Sequence, residues 1–216
     1  MNKELQISTG VVKNASGSAY VELGNMKILC SVQGPRDSYL SDGFNDRGKL
    51  FCDFKYAPFS IKGVYKEMTQ DREIRSISSL LERIIVSSVD VDSFPKSVVE
   101  VYIMAIEVDG DPLCLATMCA SLALADAGIR LFGMLGCCCV SVMRDNTMIV
   151  NPSSEELKCC KCATTLSMLN STKEITYVSH SGAVTPQICA MSITKCMEEA
   201  SRLCESMKSY LLENSR

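Results

Sequence analysis

The stretch from Leu113 to Ala125 restricts the fold more than any other part of this sequence, because it holds no charged residue and its only hydroxyl-bearing side chains are Thr117 and Ser121. Asp111-Pro112 ahead of it reads as an N-cap followed by proline at the first helical position, and Ala127-Gly128 after it as a glycine stop. A helix between those signals has no polar face to turn to solvent. The chain must therefore bury it on most sides, which requires a core of some size. With 216 residues, 47% of them hydrophobic, that core is available. We read residues 1–216 as one domain.

Around this helix, a strand-rich first part gives way to later helices. Segments 8–13, 18–23 and 27–33 alternate or run apolar, and Asn14-Ala15-Ser16-Gly17 and Gly24-Asn25 separate them, the pattern of a β-meander. Gly34-Pro35 reads as the end of the third strand. A polar loop from Asp37 to Asp46 leads to a strand at 48–54. Over 69–88 the residues Ile74, Ile77, Leu81, Ile84 and Ile85 follow helical spacing, with Arg72, Arg75 and Arg83 elsewhere on the helix. Strands are predicted at 98–107, 131–142, 146–151, 163–168 and 174–179. Thr185-Pro186 opens a final helix carrying Ile188, Met191, Met197, Ala200, Leu203, Met207 and Leu211 at core spacing. That order argues for an α+β fold with helices packed on a mixed β-sheet.

Charge narrows the partners. Lys and Arg number 22 against 25 Asp and Glu, so no global basic field draws the chain to nucleic acid, and any RNA contact must be local or shared. No apolar run reaches membrane-spanning length, and Met1-Asn2-Lys3-Glu4 lacks a signal-peptide pattern, so a soluble intracellular protein with no membrane partner is expected. The thirteen cysteines then read as small buried hydrophobes, with Cys137-Cys138-Cys139 inside a buried strand. Cys159 and Cys162 have the spacing of two zinc ligands, but the chain has one histidine and no second CxxC to close a four-ligand site. We assign no metal and no cofactor. The lone histidine, His180, has no acid or nucleophile patterned near it and reads as a surface side chain.

The run GSAYVELGNMKILCSVQGPR, from Gly17 to Arg36, resembles the opening hairpin of the ribonuclease PH family, whose form is GSA…GNTKVL…V.GPR. Arg47-Gly48-Lys49-Leu50-Phe51-Cys52-Asp53-Phe54 follows, and then Val108-Asp109-Gly110 and Ala123-Leu124-Ala125-Asp126-Ala127-Gly128-Ile129, in the order that family requires. The resemblance spans roughly residues 8 to 213 and implies a ribonuclease PH-like domain built on a β-α-β-α unit. Within the family, the Gly34-Pro35-Arg36 ending together with the run from Arg47 to Phe59 is similar to eukaryotic RNA exosome ring subunits of the mRNA-transport-regulator type.

Active members of that family cleave RNA from its 3′ end by attack of inorganic phosphate, which needs cations to grip the phosphate and acids to bind a metal. The gripping arginine belongs to a GGTR motif, and this chain has Gly110-Asp111-Pro112-Leu113, so Leu113 stands in its place. A helix motif of the form EIQRLIGRSLR aligns on Glu73 to Arg83 and puts Ser76 and Leu80 at its two arginines. The motif DLEYVEDSAAETD aligns from Asn151 and puts Leu157 and Ala163 at the two carboxylates. The nearest acids, Glu155 and Glu156, read as a solvated loop. We therefore assign no catalytic residue.

What the resemblance implies is a non-catalytic subunit of the exosome core ring. Its partners would be other ribonuclease PH-like subunits in a six-membered ring, cap subunits with OB-type domains, and single-stranded RNA in the channel. Its place would be the nucleus and nucleolus, and also the cytoplasm. Lys62, Lys66, Arg72 and Arg75, with Arg36 and Arg47 flanking the polar loop, are the candidate RNA contacts. Glu67, Asp71 and Glu73 interrupt them, as in a solvated helix entrance. An active phosphate-dependent 3′ exoribonuclease with a rearranged site is the alternative. A small-molecule kinase of related architecture would need a GxxxxGK[ST] or GxGxxG loop, which is missing from the sequence.

Overall fold

The computed structural model describes residues 5–37, 47–60 and 67–214, and for 67–71 the backbone alone. In chain order the elements are β1 (Leu5–Thr9), β2 (Gly17–Leu23), β3 (Met26–Asp37), β4 (Lys49–Tyr56), α1 (Glu67–Val86), β5 (Ser97–Glu107) and α2 (Pro112–Asp126). They continue as β6 (Leu135–Val142), β7 (Met148–Val150), α3 (Ser154–Cys159), β8 (Cys162–Leu169), β9 (Glu174–Gly182) and α4 (Pro186–Asn214).

These strands form two sheets where the sequence suggested one. The first has the order β1-β2-β3-β5-β4 and is the mixed one: β4 lies parallel to β5, with α1 as the crossover, and the other pairs are antiparallel. The second, β7-β6-β8-β9, is antiparallel throughout. The apolar helix α2 supplies the physical reason. It packs on β2 and β3 of the first sheet and on β6 of the second, and every residue from Leu113 to Leu124 is buried. A helix apolar all round must be covered on opposite sides, and one sheet covers only one of them.

Strand β6 repeats the logic one layer further out. Cys137 and Cys139 pack with Cys114 of α2, while Cys138 and Val140 pack with Cys196 and Ala200 of α4. Covered on both faces, all eight residues of β6 are buried, as the sequence reading of this strand required. The principal core joins the two halves, since Val21, Ile28, Phe54 and Ile103 belong to the same cluster as Leu135, Leu169, Leu203 and Met207.

Several boundaries differ from the sequence reading. β1 ends at Thr9 because Gly10 adopts φ +68° and leaves the sheet, so Val11 stands exposed. The strand placed at 131–142 begins at Leu135, and Leu131 makes only an isolated bridge to Val89. β3 does not stop at Gly34-Pro35: the register shifts between Gln33 and Arg36, a bulge, and pairing resumes to Asp37. Met191 is 60% exposed, whereas Cys196, Ala200, Leu203, Cys204 and Met207 form the buried stripe of α4. Ten of the thirteen cysteines are buried. None of the described helices is long and apolar enough to cross a membrane.

Candidate functional site

The loop before α2, the end of β7 and the short helix α3 hold one another in place. Asp109 Oδ1 accepts the Ser154 N–H at 2.9 Å, and the Gly110 N–H donates to Ser154 Oγ at 2.9 Å. A Cβ on Gly110, whose φ is +128°, would lie 2.4 Å from the Pro152 carbonyl oxygen, so only glycine permits this approach. α3 itself starts with a capping box. The Ser153 hydroxyl accepts the Glu156 N–H at 3.3 Å, and the Glu156 carboxylate accepts the Ser153 N–H at 2.7 Å. Residues 154–159 are therefore not the solvated loop expected, and Glu156 is a capping side chain. The Ser-x-x-Glu spacing was the available signal.

Asp111 is the N-cap of α2. Its Oδ1 accepts the Leu113 N–H at 3.0 Å, and its Oδ2 accepts the Thr165 hydroxyl of β8 at 2.7 Å. Both oxygens are thus spent on the helix start and on tying it to the second sheet. Asp111→Ala is expected to lower stability by about 1–2 kcal/mol, at the upper end for a cap because the Thr165 bond is lost as well. Asp111→Asn should retain most of it, since the amide oxygen still caps. Chemical denaturation of the two variants checks the difference.

Of the positions aligned with the family's phosphate and metal groups, the structure brings two into one cluster. Leu157 and Ala163 are half-buried and pack against Cys114, Cys137 and Cys139 under the N-terminal turn of α2. Leu113 is buried in the principal core. Ser76 and Leu80 are on α1, Ser76 exposed and Leu80 half-buried against the principal core, and neither belongs to the thiol cluster. Contact with Cys137, together with burial, holds the Cys114 thiol well above its usual value. Burial, with the Asp111 carboxylate adding, pushes Cys139 up to about 12. Both thiols are therefore neutral at physiological pH.

The cavity at this point, lined by Met26, Asp111, Cys114, Cys139 and Asn151 among others, has a volume of about 10 Å³. That admits about one water and no phosphate group. The local charge is also of the wrong sign for an anion. Burial raises the Tyr56 hydroxyl, at the end of β4, to about 12, and the carboxylates of Glu73 and Asp111 add to the shift. A divalent cation of the kind active family members use does not fit either, because Leu157 and Ala163 offer no oxygen ligands and their neighbours include the neutral thiols of Cys114 and Cys139.

The basic candidates divide in the same way. Arg36 donates to Gln33 and lies 3.9 Å from Glu100, and Arg47 lies 3.2 Å from Asp92, so both are already committed. Lys62 and Lys66 lie outside the described residues. Arg72 and Arg75 are exposed on α1 and, among the described residues, have no acidic partner. At 3.6 residues per turn Arg83 falls on the same exposed face, with Ser76 and Ser79 between, giving a row of three arginines about 16 Å long. Helical spacing pointed to this row, which the sequence reading stopped short of assembling. His180 is exposed on the edge strand β9, with Nδ1 at 2.9 Å from Thr164 Oγ1. Cys159 is exposed and Cys162 buried, and among the described residues no group of three or more His, Cys, Asp or Glu side chains is arranged to hold a metal.

With this geometry in hand, comparison with known proteins places the chain. Residues 2–130 match the profile of the 3′ exoribonuclease family, domain 1, and residues 133–202 match domain 2 of the same family. The chain belongs to the 3′ exoribonuclease, or ribonuclease PH, family. The border between the two profiles falls between α2 and β6, where the chain passes from the first sheet to the second.

Its relatives in that family include exosome components. The exosome complex component RRP41-like of Arabidopsis thaliana is 32% identical over 209 residues, 97% of this chain and 80% of that protein. The exosome complex component mtr3 of Schizosaccharomyces pombe is 30% identical over 211 residues, covering 92% and 78%. Among solved structures, rice Rrp46 superposes with a TM-score of 0.85 at 20% identity, over 98% of this chain and 96% of that one. An Archaeoglobus fulgidus exosome with RNA bound to its active site gives 0.81 at 19%, over 95% and 89%. These two structures establish the fold.

Proposed function

We propose that this chain is a non-catalytic subunit of an exosome core ring, supporting 3′-to-5′ RNA processing and degradation by assembling with related ribonuclease PH-like chains, lining an RNA channel and docking cap subunits with OB-type domains. One observation carries the reading: the positions where phosphate and metal would be gripped are filled by Leu113, buried in the principal core, and by Leu157 and Ala163, packed against a cluster of thiols beside a cavity of about 10 Å³. Phosphoryl transfer relies on charge fixed in place, and here the fixed charges near the helix start are carboxylates.

Ring building needs none of those groups. β9 pairs with β8 on one side only, is largely exposed and presents Ile175 and Val178, so it is an edge that a neighbouring chain can extend or cover. The arginine row on α1 gives a sequence-blind track for an RNA backbone. The nucleus, nucleolus and cytoplasm, where RNA is made and turned over, are the compartments this role requires.

Affinity purification is expected to recover related ribonuclease PH-like chains at equal stoichiometry, and the purified chain given RNA and inorganic phosphate should release no nucleoside diphosphate. Phosphate-dependent shortening of RNA that a point change within this chain abolishes would establish the active-enzyme alternative.

A further inference from the structure

The β6–β7 turn and the end of α3 border a hollow apart from the edge strand β9 and from the arginine row of α1. The turn is fixed by its own bonds: the Met143 N–H donates to the Thr147 carbonyl at 2.9 Å and the Asn146 N–H to the Met143 carbonyl at 3.0 Å. The opposite wall, α3, is held by its capping box, and the Lys161 N–H joins the two walls by donating to the Val142 carbonyl at 2.8 Å. The open cavity between them measures about 640 Å³. That lies within the range of roughly 300–1,000 Å³ usual for small-molecule sites. Because both walls are set in advance, a ligand pays little to order them.

The lining has a defined chemistry. Met143 and Ile149 are half-buried and supply an apolar surface, while Arg144 and Lys158 are exposed. Among the described residues neither cation has an acidic partner within 4 Å. Asp145, the one acid in the lining, already accepts the Thr147 N–H at 3.1 Å, and that bond holds its carboxyl below the usual range. Two uncommitted cations therefore stand over an apolar surface. Leu157 of the same helix faces the thiol cluster instead, so this hollow is separate from the closed family site.

We propose that the hollow binds a small organic phosphate of nucleotide size, with its phosphate between Arg144 and Lys158 and its base against Met143 and Ile149. The planar guanidinium suits a phosphate's paired oxygens, and the ammonium adds a point charge. A thioether and a branched aliphatic chain accept a flat base by surface contact. Two cations bounded by walls match a single phosphate group, whereas a strand of RNA needs a row of them along an open groove.

Cys159, whose exposed thiol also lines the hollow, serves as the reporter. Its alkylation by iodoacetamide in the full-length chain, followed by peptide mass spectrometry, is expected to slow several-fold with adenosine diphosphate at saturation, and the rate at half-buried Cys189 should stay unchanged. Adenosine should give no protection and inorganic phosphate much less than the nucleotide. Arg144→Gln should weaken the protection constant about tenfold, equivalent to 1.4 kcal/mol. The double variant Arg144→Gln/Lys158→Gln should show no protection. The proposal fails if the nucleotide does not protect, if the double variant is protected as well as the parent, if adenosine or inorganic phosphate protects equally, or if only an RNA oligonucleotide protects.

Discussion

Leu113→Arg, which returns to the start of α2 the guanidinium that active family members place there, is expected to destabilise the protein by several kcal/mol and to release no nucleoside diphosphate from RNA and phosphate. Leu113 is 6% exposed and packs in the principal core. A cation forced into that environment without a partner loses its hydration and gains nothing in return. The nearest help would come from Asp111, but both of its oxygens already hold the Leu113 N–H and the Thr165 hydroxyl. On the proposed non-catalytic reading no activity is expected to appear, because Ser76, Leu80, Leu157 and Ala163 are unchanged and about 10 Å³ of space leaves no seat for phosphate. Chemical denaturation at constant m-value, alongside chromatography of the reaction products, tests both halves. A variant that is as stable as its parent, or that cuts RNA, contradicts the account of a site closed by packing.

Gly17→Ala should cost as much through a different mechanism. Gly17 opens β2 where that strand meets the end of α2, and the Ser18 N–H donates to Asp126 Oδ2 at 2.9 Å. A Cβ on Gly17 would sit 2.2 Å from the Ala127 nitrogen and 2.5 Å from the Ala123 carbonyl oxygen. Both are backbone atoms, so no side chain can swing aside and the strand must separate from the helix. The loss is expected to reach or exceed the top of the ~1–3 kcal/mol usual for overpacking. Gly128→Ala is the contrast: it has φ +72° and nothing within 4 Å, so only backbone strain of about 1–2 kcal/mol applies. Thermal melts that rank the two variants in the reverse order would show that contact at the strand–helix junction is not what restricts position 17.

The same two mechanisms separate what was legible in the sequence from what was not. Helical spacing in Ile77, Leu81, Ile84 and Ile85 gave α1 to within two residues at each end, because periodicity is a local property of the chain. Asp111-Pro112 and Gly128 bracketed α2 correctly for the same reason. α3 was not seen, since six residues are too few to show a period, and only the Ser153–Glu156 cap marks it. Leu113, Leu157 and Ala163 were found through resemblance to motifs. The meeting place of Leu157 and Ala163 beside Cys114, Cys137 and Cys139 depends on β6, β8 and the start of α2 arriving together from distant parts of the chain.

The sequence by itself determined that one helix must be enclosed and that Cys137 to Cys139 belong to a buried strand, and its resemblance to the family's motifs implies neutral side chains where those motifs carry charge. Only the tertiary structure decided that the enclosure is made of two sheets, that Asp111 caps a helix and anchors it to β8, and that Arg144 and Lys158 face a common hollow. Period, cap and composition act over a few neighbouring residues and can be read along the chain. Sheet partition and side-chain meeting points arise from pairings between segments many tens of residues apart, where many registers satisfy the same local pattern and packing selects one.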